Sequence, residues 1–173
     1  MKYYFDTEFS EDGKTIELIS IGIVSADNRE YYAVSSEFDP ESCNDWVKAN
    51  VLPLLPPKTE WKPRAQIRDE IREFCSARGQ RPEFISFCAS YDWVVLVQLF
   101  GTMAQLPSGW PWWVFDIRQL QAQLGDPKLP EHVGTAHDAL DDAKWHKAAY
   151  DFLRELALSK RIAAVAAVQA IKI

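Results

Sequence analysis

The run Thr15–Val24, TIELISIGIV, constrains this chain most. It is β-branched and apolar on both faces, so it reads as a buried central strand. The segment before it, Lys2 to Phe9, alternates loosely, carries Tyr3, Tyr4 and Phe5, and reads as another strand. Glu11-Asp12-Gly13 turns between the two, and Asp27-Asn28 turns into a third strand, Glu30–Val34. Three strands joined by tight turns predict an antiparallel meander.

The pattern then changes. Asn44 to Leu52 reads as a short helix capped by Asn44 or Ser42. Pro53, Pro56, Pro57 and Pro63 forbid a helix interior and predict a surface loop. Pro63–Ser76 is helical, with Ile67, Ile71 and Phe74 on one side, Arg64, Arg68 and Arg72 towards the other, and Gly79 as its stop. A strand over Glu83–Phe87, a helix over Asp92–Phe100, a tryptophan-rich loop over 107–113 and a short strand at Val114-Phe115 follow. Helices over Asp116–Leu124 and Ala136–Leu156 complete the pattern, and the apolar tail from Ser159 is also read as helical. A meander followed by alternating helices and strands predicts an α/β fold, a mixed sheet flanked by helices. With 173 residues this is one domain, 1–158, and a tail, 159–173, that docks on it or on a second subunit.

Composition excludes several classes. No apolar run approaches the ~20 residues that span a bilayer, and the acidic start lacks a signal peptide's apolar stretch. The three cysteines, Cys43, Cys75 and Cys88, have no metal or disulfide spacing and read as free thiols of a cytoplasmic protein. A net charge of −6 argues against a protein held on duplex nucleic acid by a basic face. It leaves nucleases open, because carboxylates that hold cations are neutralised locally.

Three small groups carry candidate chemistry. Asp6 and Glu8 are two apart on the first strand, so both side chains share a face. Two carboxylates on a buried strand repel and lose hydration unless a cation lies between them. In HDALDDA, His137 pairs with Asp142 if it stands just before the helix or at its first residue, whereas Asp138 and Asp141 suit an ordinary helix start. Asp92 taken alone is a helix cap. His132 and His146 read as cap or surface residues.

Together, DTEF on the first strand, YD opening a middle helix and H-x-x-x-x-D late in the chain resemble the DEDDh family of 3′–5′ exonucleases. Within it, YDTEFSEDGKTIELISIGIV, REYYAVSSEFDPE, VLPLLPP, YDWVVLVQLFGTM and HDALDDA are similar to the RNase AS type, which is specific for poly(A). One departure is Cys88, which stands where many DEDDh enzymes have asparagine.

The resemblance implies a ribonuclease H-like fold, a homodimer and two Mg²⁺ ions, with Mn²⁺ as a substitute. Asp6 would bridge both ions, Glu8 and Asp142 would complete the site on the nucleophile's side, and Asp92 would bind the second ion. His137 would be the general base. The implied substrate is single-stranded RNA with a free 3′ end, cut to nucleoside 5′-monophosphates with a preference for adenylate. Phe9 and Ile19 would wall the terminal base, although Phe9 equally suits the core. Glu17 would contact the terminal ribose or base, and Glu8 or the backbone at Thr7 lies near enough to read a 2′-hydroxyl. A single-stranded DNA exonuclease and a catalytically silent RNA-binding domain are the alternatives.

Overall fold

The computed structural model describes residues 1–76 and 79–170, with side chains at the C-terminus to residue 166. Strands β1 (Lys2–Glu11), β2 (Ile16–Ser25) and β3 (Glu30–Val34) form the expected meander. Helix α1 (Asp45–Asn50) ends in a 3₁₀ turn, Leu52–Leu54, where Pro53 stops the α-helical pattern. Helix α2 (Arg64–Ser76), strand β4 (Glu83–Ser86), helix α3 (Ser90–Gln98), strand β5 (Phe115–Asp116), helix α4 (Ile117–Gln123) and helix α5 (Ala139–Ala170) follow. The sheet order is β3-β2-β1-β4-β5, with β1 antiparallel to β2 and parallel to β4. β1 is thus the central strand, and Tyr3 and Phe5 are fully buried on it.

The two faces of the sheet are covered differently. Tyr3, Phe5, Leu18, Ile21 and Ile23 pack against Ile67 and Ile71 of α2 and Leu96 of α3. Tyr4 and Ile85 pack against Ile117 of α4 and Ala149, Tyr150 and Leu153 of α5. α5 approaches the sheet through small residues, and Ala139, Ala143 and Ala149 have no exposed surface. Opposite them is Gly22, whose place on β2 a Cβ could not share with the backbone of Ala139 and Leu140. Gly22 pairs with Asp6, so this close approach brings the start of α5 onto the β1 carboxylates.

The register of β1 and β2 slips between Glu8 and Phe9, where Ser20 pairs with Glu8 and Leu18 with Phe9. Ile19 is the residue left over. It turns into a separate cluster with Val34, Phe38, Cys43, Val47 and Val51, beneath α1. A simple two-residue period puts Ile19 beside Ile21, and the bulge overrides that period.

The tail differs from its expected form. Residue 159 lies inside α5 rather than after it, and within this one chain Leu158, Ile162 and Val165 are exposed. Residues 171–173 of the expected helical tail lie outside the described residues. In the tryptophan-rich loop, Trp110 is buried against Phe84 and Phe100, whereas Trp112 and Trp113 are exposed. Among the described residues, no helix is long and apolar enough to cross a membrane.

Candidate active site

The site begins where β4 leaves β1. The parallel pairing stops at Tyr4, so the β1 edge beyond it has backbone groups without strand partners. Two side chains take them. His146 Nδ1 lies 2.9 Å from the Phe5 carbonyl, and the Thr7 N–H donates to Asp92 Oδ1 at 3.1 Å. The Thr7 hydroxyl donates to the same oxygen at 2.7 Å, and the Ser86 hydroxyl donates to Asp92 Oδ2 at 3.0 Å. Asp92 is therefore not a cap of α3. It sits in the helix's first turn with its carboxylate turned into the protein, held by β1 and β4.

Asp6 and Glu8 share the α5 face of β1, and α5 supplies the other half. His137 precedes the helix with φ +67°, and its N–H donates to Asp142 Oδ2 at 2.9 Å. This left-handed residue turns the chain so that ligand atoms of Glu8, His137 and Asp142 lie within 4.8 Å of one another. Asp138 and Asp141 do the ordinary work of a helix start. Asp138 Oδ1 accepts from the Leu140 and Asp141 N–H groups, and Asp141 Oδ2 accepts from the Thr135 N–H.

Carboxylates placed this closely hold on to protons. Burial, followed by the charges of Asp92, Glu8, Asp142 and Asp138, raises the Asp6 carboxyl well above its ordinary range. Burial and then Asp142, Asp92 and Asp138 push Glu8 up to about 8. Asp92 and Asp142 are raised too, mainly by burial, against the opposing hydrogen bonds from Thr7 and Ser86 and the contacts of His132 and His137.

Two histidines have parts that the sequence did not show. His146 is buried, and burial lowers it to about 4, so it is neutral near pH 7. A carbonyl can only accept, so Nδ1 carries the proton and bare Nε2 faces Asp6 Oδ1 at 3.8 Å. His132 Nε2 lies 2.6 Å from Asp142 Oδ1, an ion-pair distance reached off the line of a hydrogen bond. His146 is four residues past Asp142 on the same helix, a spacing that sequence periodicity can find. His132 lies in an irregular loop and leaves no such signal.

The expected substrate residues are dispersed. Phe9 is half-buried and stacks on exposed Tyr91, with centroids 5.6 Å apart and planes 8° from parallel. Glu17 is exposed on β2 opposite Ser10. Thr7 is buried and holds Asp92, and Ile19 is enclosed under α1 with no exposed surface. Cys88 has φ +55°, a left-handed position that asparagine tolerates better than most residues.

These proton affinities carry a pH prediction. Glu8 holds its proton to about pH 8 in the folded protein, against an ordinary value of 4.5. The folded state binds the extra proton between these values, so stability present below the lower one is lost as pH rises through the upper. His146 acts oppositely between about 4 and 6.5, where only the unfolded chain binds its proton. From about pH 6.5 to 8 the metal-free protein should therefore lose stability, by up to about 1.4 kcal/mol per pH unit for one such group. Thermal melts in EDTA at the two ends of that window test this. A melting temperature that is equal or higher at the alkaline end would overturn it.

The mixed five-strand sheet carries Asp6 and Glu8 on its central strand, Asp92 and Asp142 on two flanking helices and His137 just before the second, which is the arrangement expected of an exonuclease domain of the DEDDh pattern. The family model for the 3′–5′ exoribonuclease Rv2179c-like domain matches residues 1–153. The chain belongs to that family and is a 3′–5′ exoribonuclease. It is 48% identical over 147 residues to the 3′–5′ exoribonuclease Rv2179c of Mycobacterium tuberculosis (strain ATCC 25618 / H37Rv), across 83% of this chain and 88% of that protein. The fold is similar to that of the Mg²⁺- and Mn²⁺-bound form of S. pombe Pop2p, with a TM-score of 0.59, 14% identity, and coverage of 88% of this chain and 81% of that one. It is also similar to the nuclease domain of 3′hExo, a DEDDh family member bound to rAMP, with a TM-score of 0.58, 12% identity, and coverage of 90% and 91%.

Proposed function

We propose that the protein removes nucleoside 5′-monophosphates from the 3′ end of single-stranded RNA, prefers adenylate, and works with two Mg²⁺ ions for which Mn²⁺ can substitute. The observation that carries this reading is the convergence of Glu8, His137 and Asp142 beside half-buried Asp6 and buried Asp92. The donor set fits a hard divalent ion, because crowded carboxylate oxygens that raise one another's proton affinity lose that repulsion to a cation. Asp6 would serve both ions, Glu8 and Asp142 the nucleophile's side, and Asp92 the other. Bound there, such ions supply an acidified water and neutralise the charge on the departing 3′-oxygen.

The chain's own residues do the rest. The His137 imidazole, beside Glu8 and Asp142, accepts the proton of the attacking water. Thr7 and Ser86 fix the Asp92 carboxylate through their hydroxyls. The stacked Phe9 and Tyr91 rings offer an apolar wall to a terminal base, whereas Ile19, enclosed beneath α1 in a separate cluster, offers none. Exposed Glu17 would contact the terminal ribose or base, and Glu8 or the Thr7 backbone would read its 2′-hydroxyl. The exposed Leu158, Ile162 and Val165 of α5 suit a homodimer, and the free thiols suit the cytoplasm.

A degradation assay tests the reading. 5′-Labelled 20-mers of A, C, U and mixed RNA, and a single-stranded DNA, are incubated with protein and Mg²⁺ or Mn²⁺. The expected result is a ladder that shortens from the 3′ end, fastest on oligo(A), with 5′-monophosphates released. Equal shortening of all RNAs would remove the adenylate preference, and faster loss of DNA would move the substrate to DNA. Product without added metal would remove the two-ion reading.

A further inference from the structure

We propose that Trp46 is a positioning residue, whose indole holds the His137 imidazole turned toward Glu8 and Asp142. The proposal rests on the reading of His137 as general base. Trp46 lies on α1, far from His137 in sequence, and is 53% exposed, unusual for so large an apolar side chain. Its ring meets the imidazole nearly at right angles, with centroids 4.8 Å apart and planes at 82°. This is a preferred geometry for aromatic pairs.

The two partners are anchored very differently. Residues 131–136 before His137 are mostly exposed and carry no strand or helix. The N–H bond to Asp142 fixes the backbone of His137 but leaves its ring free to turn about χ1. Trp46 stands on a firm base. Its neighbour Val47 is buried with Ile19 and Val34, and the Asn44 side chain caps α1 by accepting from the Val47 N–H at 2.9 Å. The Trp46 carbonyl accepts from Asn50 Nδ2 at 2.8 Å. The bulge that turns Ile19 out of the β1–β2 register creates the apolar seat for α1. The indole thus transmits the rigidity of the sheet to a ring on an otherwise irregular loop.

The test is a double-mutant cycle on kcat and KM for oligo(A), with Trp46→Ala, Trp46→Phe, His137→Ala and the double alanine variant. An aromatic contact of this kind corresponds to roughly a two- to tenfold bias in ring orientation. Trp46→Ala should lower kcat by about that factor and leave KM unchanged, and Trp46→Phe should restore most of it. In the His137→Ala background, Trp46→Ala should have no further effect, because there is no ring left to hold. An unchanged kcat in Trp46→Ala, or an equal loss in both backgrounds, would overturn the proposal. So would a raised KM at constant kcat, which would make Trp46 an RNA contact instead. Full activity in His137→Ala would bring down the general-base reading itself and is distinguishable from each of these.

Discussion

Asp6→Asn should abolish exoribonuclease activity and, in EDTA, raise the melting temperature. The two effects have one cause. Asp6 lies half-buried on the central strand, with the charges of Asp92, Glu8, Asp142 and Asp138 acting on it. An amide of the same shape is neutral without taking up a proton, so folding no longer has to protonate or crowd a carboxylate there, and the others ionise with less repulsion. It also gives bare His146 Nε2, 3.8 Å from Asp6 Oδ1, a donor to accept from. The gain should be largest near pH 8, where the native carboxylates are most ionised. With Mg²⁺ the order should reverse, because binding stabilises the intact site by mass action and the variant has lost a ligand. Loss of a residue proposed to serve both ions should cost several kcal/mol of transition-state stabilisation, about 10³-fold or more in rate. Melts in EDTA and in Mg²⁺, beside the degradation assay, read both effects. A folded variant that melts below the native protein in EDTA would show that the carboxylates do not strain the fold.

The residues of this site were legible in sequence to differing degrees, for physical reasons. Asp6 and Glu8 were legible because a strand's two-residue period is rigid, and β1 carries both on its α5 face. The position of His137 followed from helix geometry. Pairing with Asp142 five positions on needs a residue just before α5 or at its first position, and φ +67° puts His137 before it. Asp92 was legible as an acid at the start of a helix but not in its contacts. Its partners Thr7 and Ser86 are supplied by two other strands. His132 and Trp46 reach the site across the fold from irregular or distant segments, so no local period marks them. Ile19 was misplaced because a bulge is a one-residue slip with no sequence signature in TIELISIGIV. The length of α5 was underestimated, since Leu158, Ile162 and Val165 continue a helix past the point where the domain stops covering it.

Gly22→Ala should cost both stability and activity, although Gly22 carries no functional group. Its added methyl would land within the backbone of Ala139 and Leu140, and backbone cannot swing aside as a flexible side chain can. Either β2 bends or the first turn of α5 lifts by roughly 1 Å to restore normal contact distances. Overpacking of this kind costs about 1–3 kcal/mol, and in a chain of this size each kcal/mol lowers the melting temperature by about 2–4 °C. The displaced turn carries Asp142 and, through the Asp142–His137 bond, the left-handed residue before it. Both would move away from Glu8 on the fixed central strand. A misplacement near 1 Å costs on the order of 10²-fold in rate. The activity loss should therefore exceed what the unfolded fraction explains. It should persist at temperatures well below the melting transition and at metal concentrations that saturate the native protein. Circular dichroism melts and initial rates on oligo(A) at 20–25 °C separate the two effects. A variant that melts lower yet keeps full activity would show that the α5–β2 approach sets stability alone, and that the site tolerates a looser seat than its crowded carboxylates imply.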